Sequence, residues 1–155
     1  MIRTVPDRLE NAKWLAVEGH YAEAIADIDA VLGETDSPSL DALRLKGNTL
    51  ELQANDPATS ADTRARNACR QAALACYQQI LQINPNYLYA LLDLADYYQA
   101  ENDHASAMQY YNRALALLEQ DKSFIDPQVE VDEIRQSLAT SAEAAARQGV
   151  RPSDN

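Results

Sequence analysis

Apolar residues recur along this chain at intervals of three and four, interrupted by short polar turns, and that rhythm predicts an all-helical fold. Leu9, Ala12, Leu15 and Ala16 make the first stripe, with Trp14 adding bulk, in a helix expected from Thr4 to Glu18. Pro6 and Asp7 open that helix, and Gly19 is placed to end it in a left-handed conformation. Ala24, Ile25, Ile28, Val31 and Leu32 make a second stripe that starts at Tyr21 and stops at Gly33. Ser37 and Pro38 read as an N-cap followed by proline at the first helical position, leading into Leu40, Leu43, Gly47, Leu50 and Leu52. A glycine in mid-helix costs about 1 kcal/mol against alanine, so Gly47 predicts a close helix crossing, at a place that Ala12 and Ala95 hold in the first and last hairpins. Asp56-Pro57 repeats the cap-plus-proline signal, although the helix could equally begin at Ser60. The spacing of Ala61, Ala65, Ala68, Ala72 and Cys76 then predicts one long helix to about Ile83, ended by Pro85. Two further helices are expected, Tyr87 to Ala100 and His104 to about Gln120, joined at Asn102-Asp103. A last one runs from Asp126-Pro127 to about Gln148 with the stripe Val131, Ile134, Leu138, Ala142 and Ala145, followed by a flexible tail, 149–155.

The chain also echoes itself. Ala73, Tyr77, Leu81 and Ile83 return 34 residues later as Ala107, Tyr111, Leu115 and Leu117, the interval of a stacked helix-turn-helix repeat. Gly19-His20-Tyr21-Ala22-Glu23-Ala24-Ile25 supplies a turn and the start of a second helix. Ala73, Tyr77, Ile80-Leu81 and Asn84-Pro85 supply a second helix and its closing proline, and Leu91, Leu94-Ala95, Tyr98, Ala107, Tyr111 and Ala114-Leu115 span a whole repeat. In these residues the chain resembles the tetratricopeptide repeat (TPR) family over roughly residues 5–120. The resemblance implies a right-handed α-α superhelix of three TPR-like hairpins within 1–124 (5–36, 38–85 and 86–120), and a capping helix at 125–148, seven helices in all. There are departures: Arg8 replaces a large aromatic, and Asp36 and Glu119 stand where proline is usual. An insertion at 54–69 lengthens the second repeat.

Composition narrows the function. The formal net charge is −11, with lysine only at 13, 46 and 122, so a polyanion such as nucleic acid is disfavoured as a partner. No apolar run approaches the roughly 20 residues that span a bilayer, and the first residues carry no apolar h-region, so neither membrane insertion nor a secretory signal is expected. Cys69 and Cys76 lie two helical turns apart, about 10 Å, too far for a disulfide. They read as buried free thiols of a cytoplasmic protein.

Little in the chain suggests catalysis. His20 and His104 read as solvated turn residues with no cluster of metal-ligating side chains around them. Glu10, Glu18 and Glu23 read as helix-surface carboxylates. No phosphate loop, nucleophile elbow or Cys-x-x-Cys pair is present, so an enzyme, a cofactor and a metal are not expected. The resemblance implies instead a concave groove for a peptide or helix of another protein. Its residues would be Leu9, Lys13, Ala16 and Val17, then Asp41, Arg44, Asn48, Glu51 and Leu52, then Tyr89, Leu92, Asp96 and Gln99. Arg44 and Asn48, four apart on one helix, could hold a carboxylate or a peptide backbone. That pair is similar to part of the carboxylate clamp of chaperone-binding members, but Tyr89 and Asp93 stand where the clamp requires cations, so a full clamp is not expected. Arg64, Arg66 and Arg70 beside the alanine spacing form a possible second surface. Three other readings stand beside an adaptor or scaffold. One is a self-assembling module that dimerises through 57–70 or the last helix; the others are a cytochrome c maturation-type protein and a secretion chaperone, to both of which the build is similar.

Overall fold

The computed structural model describes residues 4–121 and 131–149, and among them every regular element is a helix. The chain divides into two compact units, residues 1–85 and 86–155. The first holds α1 (Val5–Val17), α2 (Tyr21–Leu32), α3 (Leu40–Asn55), α4 (Pro57–Ser60) and α5 (Thr63–Ile83). The second holds α6 (Leu88–Ala100), α7 (His104–Gln120) and α8 (Val131–Arg147).

Capping chemistry sets the first hairpin. Thr4 and Asp7 close a capping box at the start of α1, each side chain accepting from the other residue's backbone amide. At its end Gly19 takes φ +85, and the amides of Gly19 and His20 donate back to Ala16 and Leu15 at 3.1 and 2.8 Å. Those two bonds are a Schellman motif, which needs a left-handed residue at this place. Asn102 does the same work between α6 and α7 at φ 60, with the amides of Asn102 and Asp103 donating to Gln99 and Tyr98. Asp103 then caps α7 by accepting from the Ser106 amide.

In the first unit α1 pairs with α2, α3 packs on both, and α5 lies against α3. Ala12, Ile28, Val31 and Ala42 form a buried cluster with Leu9, Leu32 and Leu45 around it. Gly47 explains the α3–α5 crossing: a Cβ built there would lie 2.5 Å from Cε1 of Tyr77. In the second unit α7 pairs with both α6 and α8. Its core is Ala95, Ala107, Tyr111 and Ile134, with Leu92, Leu115 and Leu138 among the residues packed on it.

Several expectations change. Eight described helices replace seven, because the long helix from Pro57 is two: Asp62 is extended and accepts from the Arg64 and Ala65 amides, restarting the chain as α5. The cap of α3 is Ser39, not Ser37; its hydroxyl accepts from the Ala42 amide, and Pro38 lies outside the helix. Ala61, Ala68 and Ala72 are exposed and Ala65 is half-buried, so only Cys76 of that spacing reaches the core. The face α5 buries is Arg70, Ala73, Cys76, Tyr77 and Ile80. Trp14 adds no bulk to the core, being 59% exposed. The Asp126-Pro127 start and the tail beyond Gly149 lie outside the described residues.

Candidate functional site

Two buried tyrosines organise the first-helix faces. Tyr77 of α5 is fully buried, and its hydroxyl donates toward Asn48 Oδ1 and Glu51 Oε2 of α3, both at 2.7 Å. Tyr111 of α7 repeats the arrangement: its hydroxyl donates toward Asp96 Oδ1 at 2.5 Å and Gln99 Oε1 at 3.2 Å, both on α6. A buried phenol needs such acceptors, since an unpaired hydroxyl in an apolar core costs the full desolvation of the group. Burial first, and then the Asp96 carboxylate, pushes the Tyr111 hydroxyl well above the usual tyrosine range. The first hairpin lacks the tyrosine; Ile28 is buried in its place, and the matching first-helix positions are Lys13 and Ala16.

This geometry sorts the anticipated groove residues. On α1, Lys13 is exposed and Val17 is 71% exposed, while Leu9 packs on the core and Ala16 is buried. On α3, Asp41 is exposed, Leu52 is 47% exposed, and Arg44, Asn48 and Glu51 are half-buried. Because α1 and α3 pack together, these residues share one unit. On α6, Leu92 packs on the core and Asp96 is exposed at the mouth of the Tyr111 hydroxyl. The Gln99 carboxamide nitrogen donates to Ser141 Oγ at 3.1 Å on α8, and Tyr89 lies edge-on to Tyr87 at 6.1 Å. Of the three arginines expected on a second surface, Arg64 is exposed and Arg66 half-buried. Arg70 is not on that surface: it is buried, and its guanidinium lies 3.9 Å from Glu51 on α3.

Some features had no counterpart in the sequence reading. His104 is not a solvated turn residue; it is buried at the first position of α7, and its Nδ1 meets no hydrogen-bond partner. It matches Tyr21, one place beyond His20, when Ala24 is set against Ala107. Tyr98 and Tyr110 stack on each other with centroids 5.6 Å apart, and Arg113 lies over the Tyr110 ring. An open groove of about 420 Å³ runs between α7 and α8, lined by Ala105, Met108, Gln109 and Asn112 on one side and Ala142, Ala145 and Ala146 on the other.

Chemistry is sparse around these surfaces. Among the described residues no group of three His, Cys, Asp or Glu side chains could hold a metal ion, and no helix is long and apolar enough to cross a membrane. Both cysteines are free, Cys76 buried and Cys69 half-buried, and burial raises the pKa of each thiol. Compared with known proteins, the chain matches no family model, no curated protein and no solved structure.

Proposed function

We propose that the chain is a TPR-type helical repeat domain that performs no catalysis and binds a peptide or helix of another protein on the exposed face of its first helices. The observation that carries this reading is the repeated hairpin. Small residues lie at the crossings, with Ala12 and Ala95 fully buried and Gly47 against Tyr77. A second-helix tyrosine is pinned by two first-helix polar groups in α5 and again in α7. Within the first unit this packing sets α1 beside α3, and in arrays of this kind repeated hairpins build a right-handed superhelix. On α1 and α3 that face offers the apolar Val17 and Leu52 and the charged Lys13 and Asp41 to solvent. An extended or helical segment with apolar anchors fits such a face. The buried Cys76 suits a reducing compartment, and the cytoplasm is the location this reading expects.

A phage-displayed library of random short peptides, selected on the full chain, tests it. Peptides enriched on the chain and lost on a Val17→Asp/Leu52→Asp variant of unchanged helicity are expected. Enrichment that survives the double substitution would overturn the assignment of this face.

A further inference from the structure

The end of α8 repeats the ends of α1 and α6. Gly149 takes φ +71, as Gly19 takes +85 and Asn102 takes 60. In each case the left-handed residue donates its amide to the carbonyl three places back, at 3.1 Å for Gly19 and Asn102 and 3.3 Å for Gly149. Seven places before it stands an alanine in all three helices: Ala12, Ala95 and Ala142. α8 thus has the build of a first helix. What differs is the cover. Ala12 packs with Ile28 and Val31 of α2, and Ala12 and Ala16 are 0% and 3% exposed. Their counterparts on α8 are Ala142, half-buried, and Ala146, exposed. Both line the open groove beside α7, about 420 Å³, whose lining among the described residues carries no charge.

We propose that the α7–α8 groove seats an amphipathic helix of a partner protein, in the place on α8 that α5 takes on α3 and α7 takes on α6. The contact continues the packing of first on second helices already made in both units. In the first unit the matching seat adjoins α2 and α3: the charges of Lys46 on α3 and Asp29 on α2 both act on the Cys76 thiol of α5. Asp29 holds the place on α2 that the groove residue Asn112 holds on α7. The chain's own second helices define the occupant. α5 and α7 each bring a tyrosine, Tyr77 and Tyr111, four residues after a fully buried alanine, Ala73 and Ala107. Each hydroxyl donates to the residue that follows the crossing position, Asn48 after Gly47 and Asp96 after Ala95. On α8 that residue is Glu143, after Ala142; it is exposed, and its carboxylate lies 3.9 Å from Arg147, longer than a hydrogen bond. The partner helix therefore presents an alanine and, four residues on, a tyrosine whose hydroxyl donates to Glu143, on an otherwise uncharged face. A second copy offers no such helix, since Tyr77 and Tyr111 are buried and α8 carries no aromatic residue. Residues 150–155 are half as many as the twelve of α2, too few for this role. The inference rests on the repeated hairpin and uses neither Val17 nor Leu52, and short displayed peptides fall below the length at which a helix holds in water.

A helix-stapled synthetic peptide of residues 103–120, the chain's own α7 with Ala107 and Tyr111 on its free face, is the probe. Labelled with fluorescein and titrated with the full chain, it should reach half-saturation below about 100 µM by anisotropy. Ala146→Glu, at an exposed position, charges the groove and should weaken binding at least about tenfold at unchanged helicity. A Tyr111→Phe peptide should bind the parent chain about fivefold more weakly, and the Glu143→Ala chain no more weakly than the unsubstituted peptide does. Binding should persist on Val17→Asp/Leu52→Asp, so the two faces stand or fall separately. No binding, binding that Ala146→Glu leaves intact, or loss on Val17→Asp/Leu52→Asp overturns the proposal. So does an equal loss for the Phe peptide on both chains, which denies the hydroxyl its place at Glu143. A chain that sediments as a dimer by itself and resists the peptide places a second copy in the groove and overturns it as well.

Discussion

Replacing Gly47 with alanine separates helix propensity from packing. Propensity alone favours the substitution by about 1 kcal/mol, since glycine is the poorest ordinary helix former. The added Cβ, however, would meet Tyr77 Cε1 at 2.5 Å and Cζ at 2.9 Å. The ring would have to retreat about 1 Å to reach an ordinary carbon–carbon separation of roughly 3.5 Å. It has little room to do so, because Tyr77 is fully buried and its hydroxyl is held at 2.7 Å by Asn48 and Glu51. Overpacking costs about 1–3 kcal/mol, and loosening the phenol bonds adds about 1 kcal/mol. Set against the propensity gain, Gly47→Ala should destabilise by about 1–3 kcal/mol, or roughly 2–4 °C in Tm per kcal/mol for a chain of this size. Urea unfolding followed by circular dichroism reads this as a lower midpoint at unchanged slope. Gly33→Ala is the control: φ is −79 and the nearest contact of a Cβ is 3.4 Å, so its effect should stay within about 0.5 kcal/mol. Shrinking the ring with Tyr77→Leu should reduce the cost of Gly47→Ala. A Gly47→Ala chain more stable than the parent would refute the crossing.

Further outcomes follow from the same geometry. Tyr111→Phe removes the hydroxyl from Asp96 and Gln99 and should cost about 1 kcal/mol at neutral pH. The folded state holds the Tyr111 proton more tightly than the unfolded chain does, so its contribution is complete below the ordinary tyrosine value of about 10 and is lost as pH rises above that. Alkaline unfolding titrations of the parent and Tyr111→Phe should therefore converge; parallel curves would contradict the assignment. Asp62→Ala removes the side chain that accepts from the Arg64 and Ala65 amides, costing about 1 kcal/mol and speeding amide exchange in the first turn of α5, which unchanged exchange there would disprove. A thiol reagent at mildly alkaline pH should label Cys69 before Cys76, because Cys76 is buried; mass spectrometry of the first product decides the order.

The helices were legible because their signals are local. Gly19, Asp103 and the Asn84-Pro85 stop act within a turn, and α2 and α7 keep their expected limits. The misread positions turn on competition between neighbouring signals. Asp56-Pro57 does open a helix, but Asp62 opens another six residues later, and the alanine spacing across them concealed the break. Ser37-Pro38 reads as a cap-plus-proline start, but the extended backbone at Ser39 makes that residue the cap instead. The binding face was legible as positions and not as surroundings. Asn48, Glu51, Asp96 and Gln99 appeared as groove residues, yet each meets a buried phenol from another helix. The echo from Tyr77 to Tyr111 carried that information, because a polar atom on a core position requires partners. Arg70 and Trp14 inverted the usual rule of charged out and aromatic in, and only the packing around α3 and α1 reveals it.

Amide hydrogen exchange on the chain with and without a peptide selected from the displayed library tests the central proposal most directly. The account predicts slowed exchange in α1 and α3, where Val17 and Leu52 are exposed, with α8 unchanged. Protection confined to α5 or α8, with α1 and α3 unaffected, would contradict it.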